Sequence, residues 1–365
     1  MRRTFSSNVS MMTQLQVPNA ALLLNAIATQ YERIERVLIE FVDNSIDAAD
    51  ESSTQTHTRI HVDIDHKTRS LWIRDNGPGF QEDKLMNVLN AVGQSSKLQN
   101  KSLNGRFGFG MQSFRGAAKR MHVVTKTRNM RDPMVLSVDR DRLEMPSPAI
   151  LTSAFSKIQD AENRVFESRH WLEKDCAQEG TAVMLDNIDP MWWKSLNLKS
   201  VKREIESHFE VLLSKRRDVS VKVSEIARNG KRESSMCEAF SYDKLSGTKI
   251  TRTIDVGENT TLDVNLNIGT SMMPGKKIRF FQNGRRIDEV GKIRSFTEFS
   301  SSPTWDHPGV CGFVEISGDT TLEPVLTRTD FAKSTVRERV YKALSSMENE
   351  ISVALNEAVR NYFFF

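Results

Sequence analysis

The stretch LIEFVDNSIDAADE, residues 38–51, spaces three polar side chains along an apolar segment. Glu40, Asn44 and Asp47 follow one another at intervals of four and three residues, which places them on one side of a helix. Glu40 and Asn44 thus present a carboxylate and a carboxamide to the same point, and Asp47 sits almost one turn further along. An isolated E-x-x-x-N is usually a solvated helix face, but here bulky apolar residues lie between the polar ones. The segment is therefore a candidate site on a helix that is partly buried.

A second polar cluster, RDNGPGF, follows the apolar residues of a predicted strand. Asp75 comes at the end of this strand, and Gly77 and Gly79 follow it. A buried carboxylate must accept a hydrogen bond from a donor, and the amino group of adenine is one such donor. The glycines would let the backbone pass close to a flat ring. Taken alone, such a cluster is more often an ordinary turn after a strand.

A third cluster, GRFGFG, runs from Gly105 to Gly110, directly before the helical stretch MQSFRGAAKR. Its glycines free successive backbone N–H groups to face an anion, and the start of a helix adds a favourable dipole. The cluster lacks the G-x-x-x-x-G-K-[ST] spacing of a P-loop, and it does not directly follow a strand, which counts against a dinucleotide fingerprint. On its own it is also typical of a flexible loop.

Helices and strands must position these clusters. Helical spacing is kept by Ile34, Leu38, Phe41, Val42 and Ser45. A second helix is predicted over Gln81–Val92, and a polar turn at 66–69 joins the first two strands. The strands predicted in this part of the chain are RIHVDID, SLWIRDN, MHVVTKT, PMVLSVD and TAVMLDN. This mixture of helices and strand hairpins indicates an α+β fold with an antiparallel or mixed sheet.

The helical run 198–216 is predicted to connect the first unit to a second one. The second unit contains the predicted strands VSVKVSEI, TTLDVNLNI and VCGFVEIS, the hairpin KKIRFFQNGRRI and a C-terminal helix. The dipeptide Asn283-Gly284 is typical of the tight turn of such a hairpin. The sequence therefore predicts two domains, residues 1–195 and residues 196–365.

The composition is typical of a globular protein that stays inside the cell. No apolar run is long enough to span a membrane, and the start MRRTFSSNVSMMTQ lacks the apolar core of a secretory signal. Three distant cysteines and seven scattered histidines favour neither a disulfide scaffold nor a zinc site. A net charge of +4 permits binding to a polyanion without requiring it. We expect a cytoplasmic protein if the source is prokaryotic and a nuclear one if it is eukaryotic, not a secreted protein.

The order of the three clusters resembles the Bergerat ATP-binding fold of the GHKL superfamily. Members of this superfamily include gyrase-type topoisomerases, heat-shock chaperones, sensor histidine kinases, MutL and the MORC ATPases. A fourth motif, EGTAVML with Thr181, follows in the order that the family has. The resemblance implies an ATPase domain built as a two-layer sandwich, a mixed sheet under helices, within an α+β chain.

The resemblance also implies ATP and Mg²⁺ as cofactors and ATP hydrolysis as the activity. It implies that Glu40 is the catalytic base, that Asn44 is the magnesium ligand and that Asp75 pairs with adenine. The loop from Gly105 to Gly110 would form a lid over the phosphates. The cofactor-binding residues that the resemblance implies are Asn44, Asp47, Asp75, Gly77, Gly79, Lys97, Gly105, Arg106, Phe107, Gly108, Phe109, Gly110 and Thr181. Physical reasoning agrees, because hydrolysis needs a positioned base and a charge-neutralising metal.

The resemblance extends into the second predicted domain. RFFQNGRRI is similar to a strand and turn in the transducer domain of MutL-type proteins, which has a ribosomal-S5-like β-α-β fold. LEPVLTRTDFAKSTVRERVYKAL, from Leu322, is similar to a MORC segment that precedes a closing helix. Where that segment has a lysine that reaches the terminal phosphate, this chain has Arg328, with Lys333 nearby. The resemblance therefore implies a catalytic role for Arg328.

Partners are implied mainly by the similarity to MORC ATPases. It implies an ATP-dependent homodimer that closes as a clamp, with DNA and another protein subunit as further candidate partners and no membrane. The basic turns SKRRD, GKKIR and GRR could offer a DNA surface, or they could simply be solvated turns.

Two alternatives stay open. One is an ATPase subunit like topoisomerase VI B that works with a separate cleavage subunit, and the other is an ATP-binding structural switch with negligible hydrolysis. A sensor histidine kinase is disfavoured, because the segment before Glu40 contains no histidine to accept a phosphoryl group. A heat-shock chaperone is disfavoured, because we expect no room for long middle and C-terminal domains in 365 residues.

Overall fold

The computed structural model describes residues 24–26, 28, 29, 31, 33–50, 57–82, 84, 85, 110–130, 133–143, 179–269, 277–300, 303–318, 322–325 and 329–363. The helices in these ranges are α1 (Ile34–Asp50), α2 (Arg140–Leu143), α3 (Pro190–Trp193), α4 (Leu198–His208), α5 (Glu210–Lys215), α6 (Arg294–Phe299), α7 (Thr335–Ser346) and α8 (Glu348–Phe363). The strands are β1 (Thr58–Asp65), β2 (Ser70–Asp75), β3 (Ala118–Lys126), β4 (Met134–Asp139), β5 (Gly180–Ile188), β6 (Val219–Ile226), β7 (Arg232–Met236), β8 (Thr248–Gly257), β9 (Thr260–Ile268), β10 (Ile278–Gln282), β11 (Arg285–Glu289) and β12 (Val310–Gly318). None of the described helices has both the length and the apolar character needed to cross a membrane.

The first sheet has seven strands in the order β4-β3-β5-β2-β1-β6-β7. Strands β1 and β6 are parallel and the other neighbouring pairs are antiparallel, so the sheet is mixed. Helices α1 and α4 pack against it, and Phe41, Val42 and Ile205 join the strand side chains in one apolar core. This large mixed sheet with its helices is consistent with the α+β class and with the GHKL fold that the sequence led us to expect.

The hairpin of β1 and β2 explains how the second cluster is positioned. Residues of alternating strand positions point to the same face, and Ile60, Val62 and Ile64 of β1 are fully buried on the face that meets the core. Asp65 and Ser70 are paired at the base of the connecting turn, which confirms the turn predicted at 66–69. Asp75 therefore lies at the end of a strand that is buried along its whole length.

One strand lies in a different sheet from the one expected. The sequence placed VSVKVSEI in the second unit, but the structure pairs this strand, β6, in parallel with β1 from Thr58↔Val219 to Asp65↔Ile226. That placement was wrong, because alternation shows that a strand is half-buried but does not identify its partner. The helical run expected as a connector is divided at Phe209 into α4 and α5, and α4 packs on the first sheet. The division of the chain at residue 195 into two domains stays a prediction.

The second sheet has five strands in the order β11-β10-β12-β9-β8. Strands β10 and β12 are parallel, and their neighbours are antiparallel. Helices α7 and α8 bury Val340, Tyr341 and Ile351 in its core. The predicted turn of the β10–β11 hairpin is present, with positive φ angles of 48° at Asn283 and 77° at Gly284. The finer assignment of this unit to a ribosomal-S5-like transducer domain stays a prediction.

Candidate functional site

Helix α1 carries a polar stripe beside a buried apolar face. Phe41, Val42 and Ile46 on the apolar face are at most 2% exposed. With about 100° of rotation per residue, the order of the polar side chains around the helix is Asp43, Asp47, Glu40 and Asn44. The stripe therefore has two flanks, one ending at Asp43 and the other at Asn44.

The Asn44 flank faces the glycine that ends the third cluster. A Cβ atom added to Gly110 would lie 3.1 Å from Glu40 Oε2 and 3.5 Å from Asn44 Nδ2. Glycine thus lets the start of the 3-10 helix Gly110–Gly116 lie directly against both side chains. Nδ2 of Asn44 is buried and has no hydrogen-bond partner among the described residues. The structure therefore brings Glu40, Asn44 and Gly110 together, with one amide donor left unsatisfied.

Asp75 is tied to the same helix. Ser45 Oγ donates a hydrogen bond of 2.8 Å to Asp75 Oδ2, and the Gly77 N–H donates one of 2.8 Å to Oδ1. Burial raises the pKa of the Asp75 carboxyl to about 6, although the hydrogen bonds from Gly77, Ser45 and the backbone of Thr181 act in the opposite direction. The site thus contains a buried carboxyl group whose charge changes near neutral pH.

The second cluster leaves no room for side chains at its glycines. A Cβ atom at Gly77 would lie 2.7 Å from Asp75 Oδ1. Gly79 has a φ of +72°, and a Cβ atom there would lie 2.3 Å from the carbonyl oxygen of Lys126. The glycines are therefore required by the close approach of the backbone to β3 and to the Asp75 carboxyl group.

Sequence reasoning missed two hydroxyl groups in this region. Helical spacing in the sequence grouped Ser45 with the apolar face of α1, but its hydroxyl group bonds to Asp75. A polar side chain on an otherwise apolar helix face was the feature of the sequence that could have indicated this contact. Thr125, near the end of β3, accepts a hydrogen bond of 2.8 Å from the Phe80 N–H, and its Oγ1 lies 3.2 Å from Thr181 Oγ1. Thr181 is the partner of Asp75 in the pairing of β2 with β5, so Thr125 joins the second motif to the fourth.

Asp47 has a partner that the sequence did not suggest. It is fully buried, and Arg285 of β11 donates to its Oδ1 from Nη2 at 2.5 Å and to Asp43 Oδ1 from Nε at 2.6 Å. The predicted role of Asp47 in cofactor binding stays a prediction, and this geometry does not support it.

Several described charges of the basic turns lie in ion pairs. Arg279 pairs with Glu210, Arg286 with Glu204 and Lys215 with Glu315. The neighbouring side chains of Phe280 and Phe281 are fully buried. The DNA surface considered from the sequence stays a prediction, and these three charges are already paired with carboxylates distant in sequence.

Several predicted site residues lie outside the described part of the chain. These are Lys97, Gly105, Arg106, Phe107, Gly108, Phe109 and Arg328. Their roles stay predictions.

The described residues fit a nucleotide with Mg²⁺. The Asn44 carboxamide offers an oxygen to a metal and an unsatisfied donor to a phosphate oxygen, and Asp75 offers an acceptor to an amino group. The described chain has no group of three or more His, Cys, Asp or Glu side chains arranged around one metal position. Mg²⁺ is commonly held by one or two protein ligands together with substrate phosphates, and the Asn44 carboxamide could be such a ligand.

A family model matches the first part of the chain, and curated relatives match about a third of it. Residues 31–169 match the family model described as "Histidine kinase-, DNA gyrase B-, and HSP90-like ATPase". Chaperone protein HtpG of Campylobacter jejuni subsp. jejuni serotype O:23/36 (strain 81-176) is 30% identical over 135 residues, which cover 31% of this chain and 22% of the relative. Chaperone protein HtpG of Coxiella burnetii (strain RSA 331 / Henzerling II) is 29% identical over 132 residues, which cover 30% of this chain and 21% of the relative.

The chain thus spans about a fifth of the length of these curated relatives. The family model ends at residue 169, before strands β8 to β12 begin, and the similarity to MORC ATPases stays a prediction from the sequence. The family match, the similarity to HtpG and the mixed sheet together support a GHKL-type ATP-binding domain in the N-terminal part of this chain.

Proposed function

We propose that this protein is a Mg²⁺-dependent ATP hydrolase in which ATP binding brings two copies of the chain together as a clamp. The observation that carries the proposal is the convergence on one helix of three different groups. Glu40 and Asn44 lie against Gly110, and Ser45 of the same helix bonds to Asp75. A carboxylate, an unsatisfied amide and a buried carboxyl group are the groups that ATP hydrolysis and adenine recognition require.

Glu40 is assigned to the catalytic step. Its carboxylate lies at the edge of the site beside the Gly110 backbone, where it can orient a water molecule and accept its proton. Because phosphoryl transfer needs little covalent chemistry from the protein, Glu40 would act mainly by positioning the attacking water, and the rest of the catalysis would be electrostatic stabilisation of the phosphates. Glu40 is half-buried, which limits the freedom of its carboxylate.

Asn44 and Asp75 are assigned to binding. The Asn44 carboxamide would hold Mg²⁺, which when bound neutralises charge on phosphate oxygens. The Asp75 carboxylate would accept a hydrogen bond from the adenine amino group, with Thr181 and Gly77 holding it in place. Gly79 lets the following backbone lie close to β3, which keeps the adenine side of the site compact.

Arg328 is proposed to stabilise charge on the terminal phosphate, with the loop 105–109 and Lys97 as further phosphate contacts. We expect Arg328→Ala to lower turnover by roughly 100-fold or more with little change in ATP affinity, because the cation acts on charge that develops during cleavage. Arg328→Lys should recover part of the rate, since a lysine keeps the charge without the planar fork. Steady-state kinetics of both variants, with Lys333→Ala as the matched control, would measure this. Normal turnover without Arg328 and none without Lys333 would assign the role to Lys333.

The second sheet is proposed to be a transducer, as in MORC and MutL-type proteins, and DNA is proposed as the clamped molecule. The similarity of the β10–β11 hairpin and of the segment from Leu322 to those proteins supports this proposal. The DNA contact would have to use charges other than the paired arginines of the hairpin.

The central experiment separates binding from turnover. We expect Glu40→Gln to bind ATP within a few-fold of the parent and to lose its turnover, because the substitution removes the base and keeps the shape. Asn44→Ala should instead lose Mg-ATP binding. Calorimetric binding and phosphate release measure the two properties, and Glu338→Gln, at an exposed glutamate on α7, is the control.

Two outcomes would contradict the assignment. Turnover by Glu40→Gln within a few-fold of the parent would remove Glu40 from the base position. A parent protein that binds ATP and does not hydrolyse it would support the structural-switch alternative.

A further inference from the structure

The second sheet holds α1 on the flank of the polar stripe opposite Asn44. Arg285 of β11 donates from Nε to Asp43 at 2.6 Å and from Nη2 to Asp47 at 2.5 Å. All three side chains are at most 5% exposed. A planar guanidinium that spans two carboxylates one helical turn apart restrains both the rotation of the helix and its position along its axis.

The next residue of β11 reaches the beginning of the same helix through a shared carboxylate. Arg286 Nη2 lies 3.4 Å from Glu204 of α4, and Glu204 also receives Arg36 at 3.7 Å and Arg33 at 3.5 Å. Arg36 lies in the first turn of α1, and Arg33 is the residue directly before the helix. Two adjacent arginines of one strand therefore hold α1 near both of its ends.

The hairpin that carries these arginines is itself fixed. Gly284 at its tip would place a Cβ atom 2.9 Å from the Cβ atom of Leu212 on α5, so the tip lies in direct contact with this helix. The Gly284 N–H donates a hydrogen bond of 2.9 Å to Glu315 of β12. A displacement of β12 and its sheet would therefore be passed through the hairpin to Arg285.

The held residues are the immediate neighbours of the proposed site. Asp43 precedes Asn44 in the chain, and Asp47 lies between Asp43 and Glu40 around the helix. A small rotation of α1 would move Glu40 and Asn44 relative to Gly110. A Cβ atom added at Gly110 would lie within 3.5 Å of both side chains, so the two are close enough to be affected. Catalytic geometry is sensitive to displacements of about 1 Å, which can change rates about 100-fold.

We infer that Arg285 is a positioning residue that couples turnover at the nucleotide site to the placement of the second sheet. It does so by holding Asp43 and Asp47, which lie beside Asn44 and Glu40 on the helix. This inference rests on the proposed function. It also gives Asp47 a role that differs from cofactor binding.

A neutral replacement tests this role without leaving buried charges unpaired. We choose Arg285→Gln together with Asp43→Asn and Asp47→Asn, because removal of one member alone would leave a buried charge without its partner and could unfold the protein. The matched control is Arg279→Gln with Glu210→Gln, a buried pair that joins the second sheet to α5 and not to α1. Arg285→Lys, which keeps the charge and loses the fork, is the partial-rescue variant.

The kinetic result expected is a split between kcat and affinity. The triple variant should lose at least tenfold in kcat while its affinity for a non-hydrolysable ATP analogue stays within about threefold of the parent. The control pair should stay within about twofold of the parent in both, and Arg285→Lys should fall between parent and triple variant. A triple variant with the kcat of the parent, or a control that loses as much, would overturn the inference.

Hydrogen exchange separates a failure of this inference from a failure of the proposed function. Without nucleotide, the amides of residues 38–47 should exchange at least several-fold faster in the triple variant than in the control. If the parent has no ATP turnover, the proposed function fails, and faster exchange still assigns to Arg285 the positioning of α1. Unchanged exchange in this segment overturns the assignment whatever the ATPase measurements give.

Discussion

Asp75 is held between two opposing influences at the scale of a single side chain. Burial raises the pKa of its carboxyl group from 3.8 to about 6, while hydrogen bonds from Gly77, Ser45 and the Thr181 backbone favour the ionised form. Between these two pH values the folded chain keeps a proton that the unfolded chain has released. The contribution of Asp75 to stability is therefore complete below about pH 4 and is lost as the pH rises through about 6.

Asp75→Asn should remove this pH dependence. Above pH 6 we expect the variant to gain on the parent in free energy of unfolding, with an upper limit of roughly 2–3 kcal/mol, because the amide carries no charge to bury. The difference between the two proteins should shrink toward pH 4. Urea unfolding of both proteins at pH 4, 5, 6 and 7.5 measures it.

Asp141 supplies a control of opposite sign. Its pKa is lowered by the hydrogen bond from Lys119, so its contribution is present at neutral pH and is lost as the pH falls. Asp141→Asn should therefore cost a little stability at neutral pH and nothing in acid. A difference between parent and Asp75→Asn that is the same at every pH would contradict the account of the Asp75 carboxyl group.

At the scale of an element, α1 shows what spacing in the sequence can and cannot provide. The four-residue interval correctly placed Glu40 and Asn44 on one face, since both approach Gly110. The same periodicity could not show that Glu40 and Asn44 face Gly110 while Asp43 and Asp47 bind Arg285, because Arg285 lies 238 positions after Asp47. Local patterns describe which face a side chain occupies, and they carry no information on what the rest of the chain brings to that face.

The strands repeat this lesson. Alternation in RIHVDID and SLWIRDN correctly gave a hairpin, because its two strands are adjacent in sequence and joined by a short turn. The same signal in VSVKVSEI gave a strand in the wrong sheet, because its partner β1 is separated from it by most of the first unit. The hydrophobic pattern specifies the element, and only the folded chain specifies its neighbour.

The tip of the β10–β11 hairpin gives a prediction at the same scale. Gly284→Ala should destabilise the protein by roughly 2–5 kcal/mol, because the φ of +77° is strained for alanine and the new Cβ atom would lie 2.9 Å from the Cβ atom of Leu212. Thermal or urea unfolding measures the loss.

The β6–β7 hairpin offers a matched control for Gly284→Ala. Gly230 has a similar φ of +83°, but a Cβ atom there has no neighbour within 4 Å. Gly230→Ala should therefore cost only the backbone strain, on the order of 1 kcal/mol. Equal losses at both positions would mean that the contact with Leu212 relaxes at no cost.

At the scale of the whole molecule, charges join the two sheets. Arg279 pairs with Glu210, Lys215 with Glu315, and Arg285 with two carboxylates of α1. The sequence shows where the arginines and lysines are, but it does not show their partners. In these contacts the partners lie 69 to 242 positions away along the chain. These charges of the basic turns are therefore internal connections between distant parts of the chain.

The proposed clamp predicts a change in mass. With a non-hydrolysable ATP analogue and Mg²⁺, the native mass should double, and it should return to that of one chain when the analogue is removed. Light scattering during size-exclusion chromatography measures this, and Asn44→Ala, which should not bind Mg-ATP, is the control. The same measurement with added DNA tests whether the closed form retains it. A dimer that forms equally well without nucleotide would contradict the proposal that ATP binding brings the two chains together.

The parallel pairing of β1 with β6 also decides where this protein can be cut. The family match ends at residue 169, and a fragment truncated there or at residue 195 would lack β6. The backbone N–H and C=O groups of β1 that pair with β6 would then be unpaired at an open edge of the sheet. This edge strand carries the apolar residues Ile60, Val62 and Ile64, and it would be a ready template for intermolecular strand addition. Such a fragment should aggregate during expression, whereas one that continues past Met236 keeps the edge covered. The smallest unit suitable for crystallisation or ligand screening is therefore considerably longer than the segment recognisable as an ATPase.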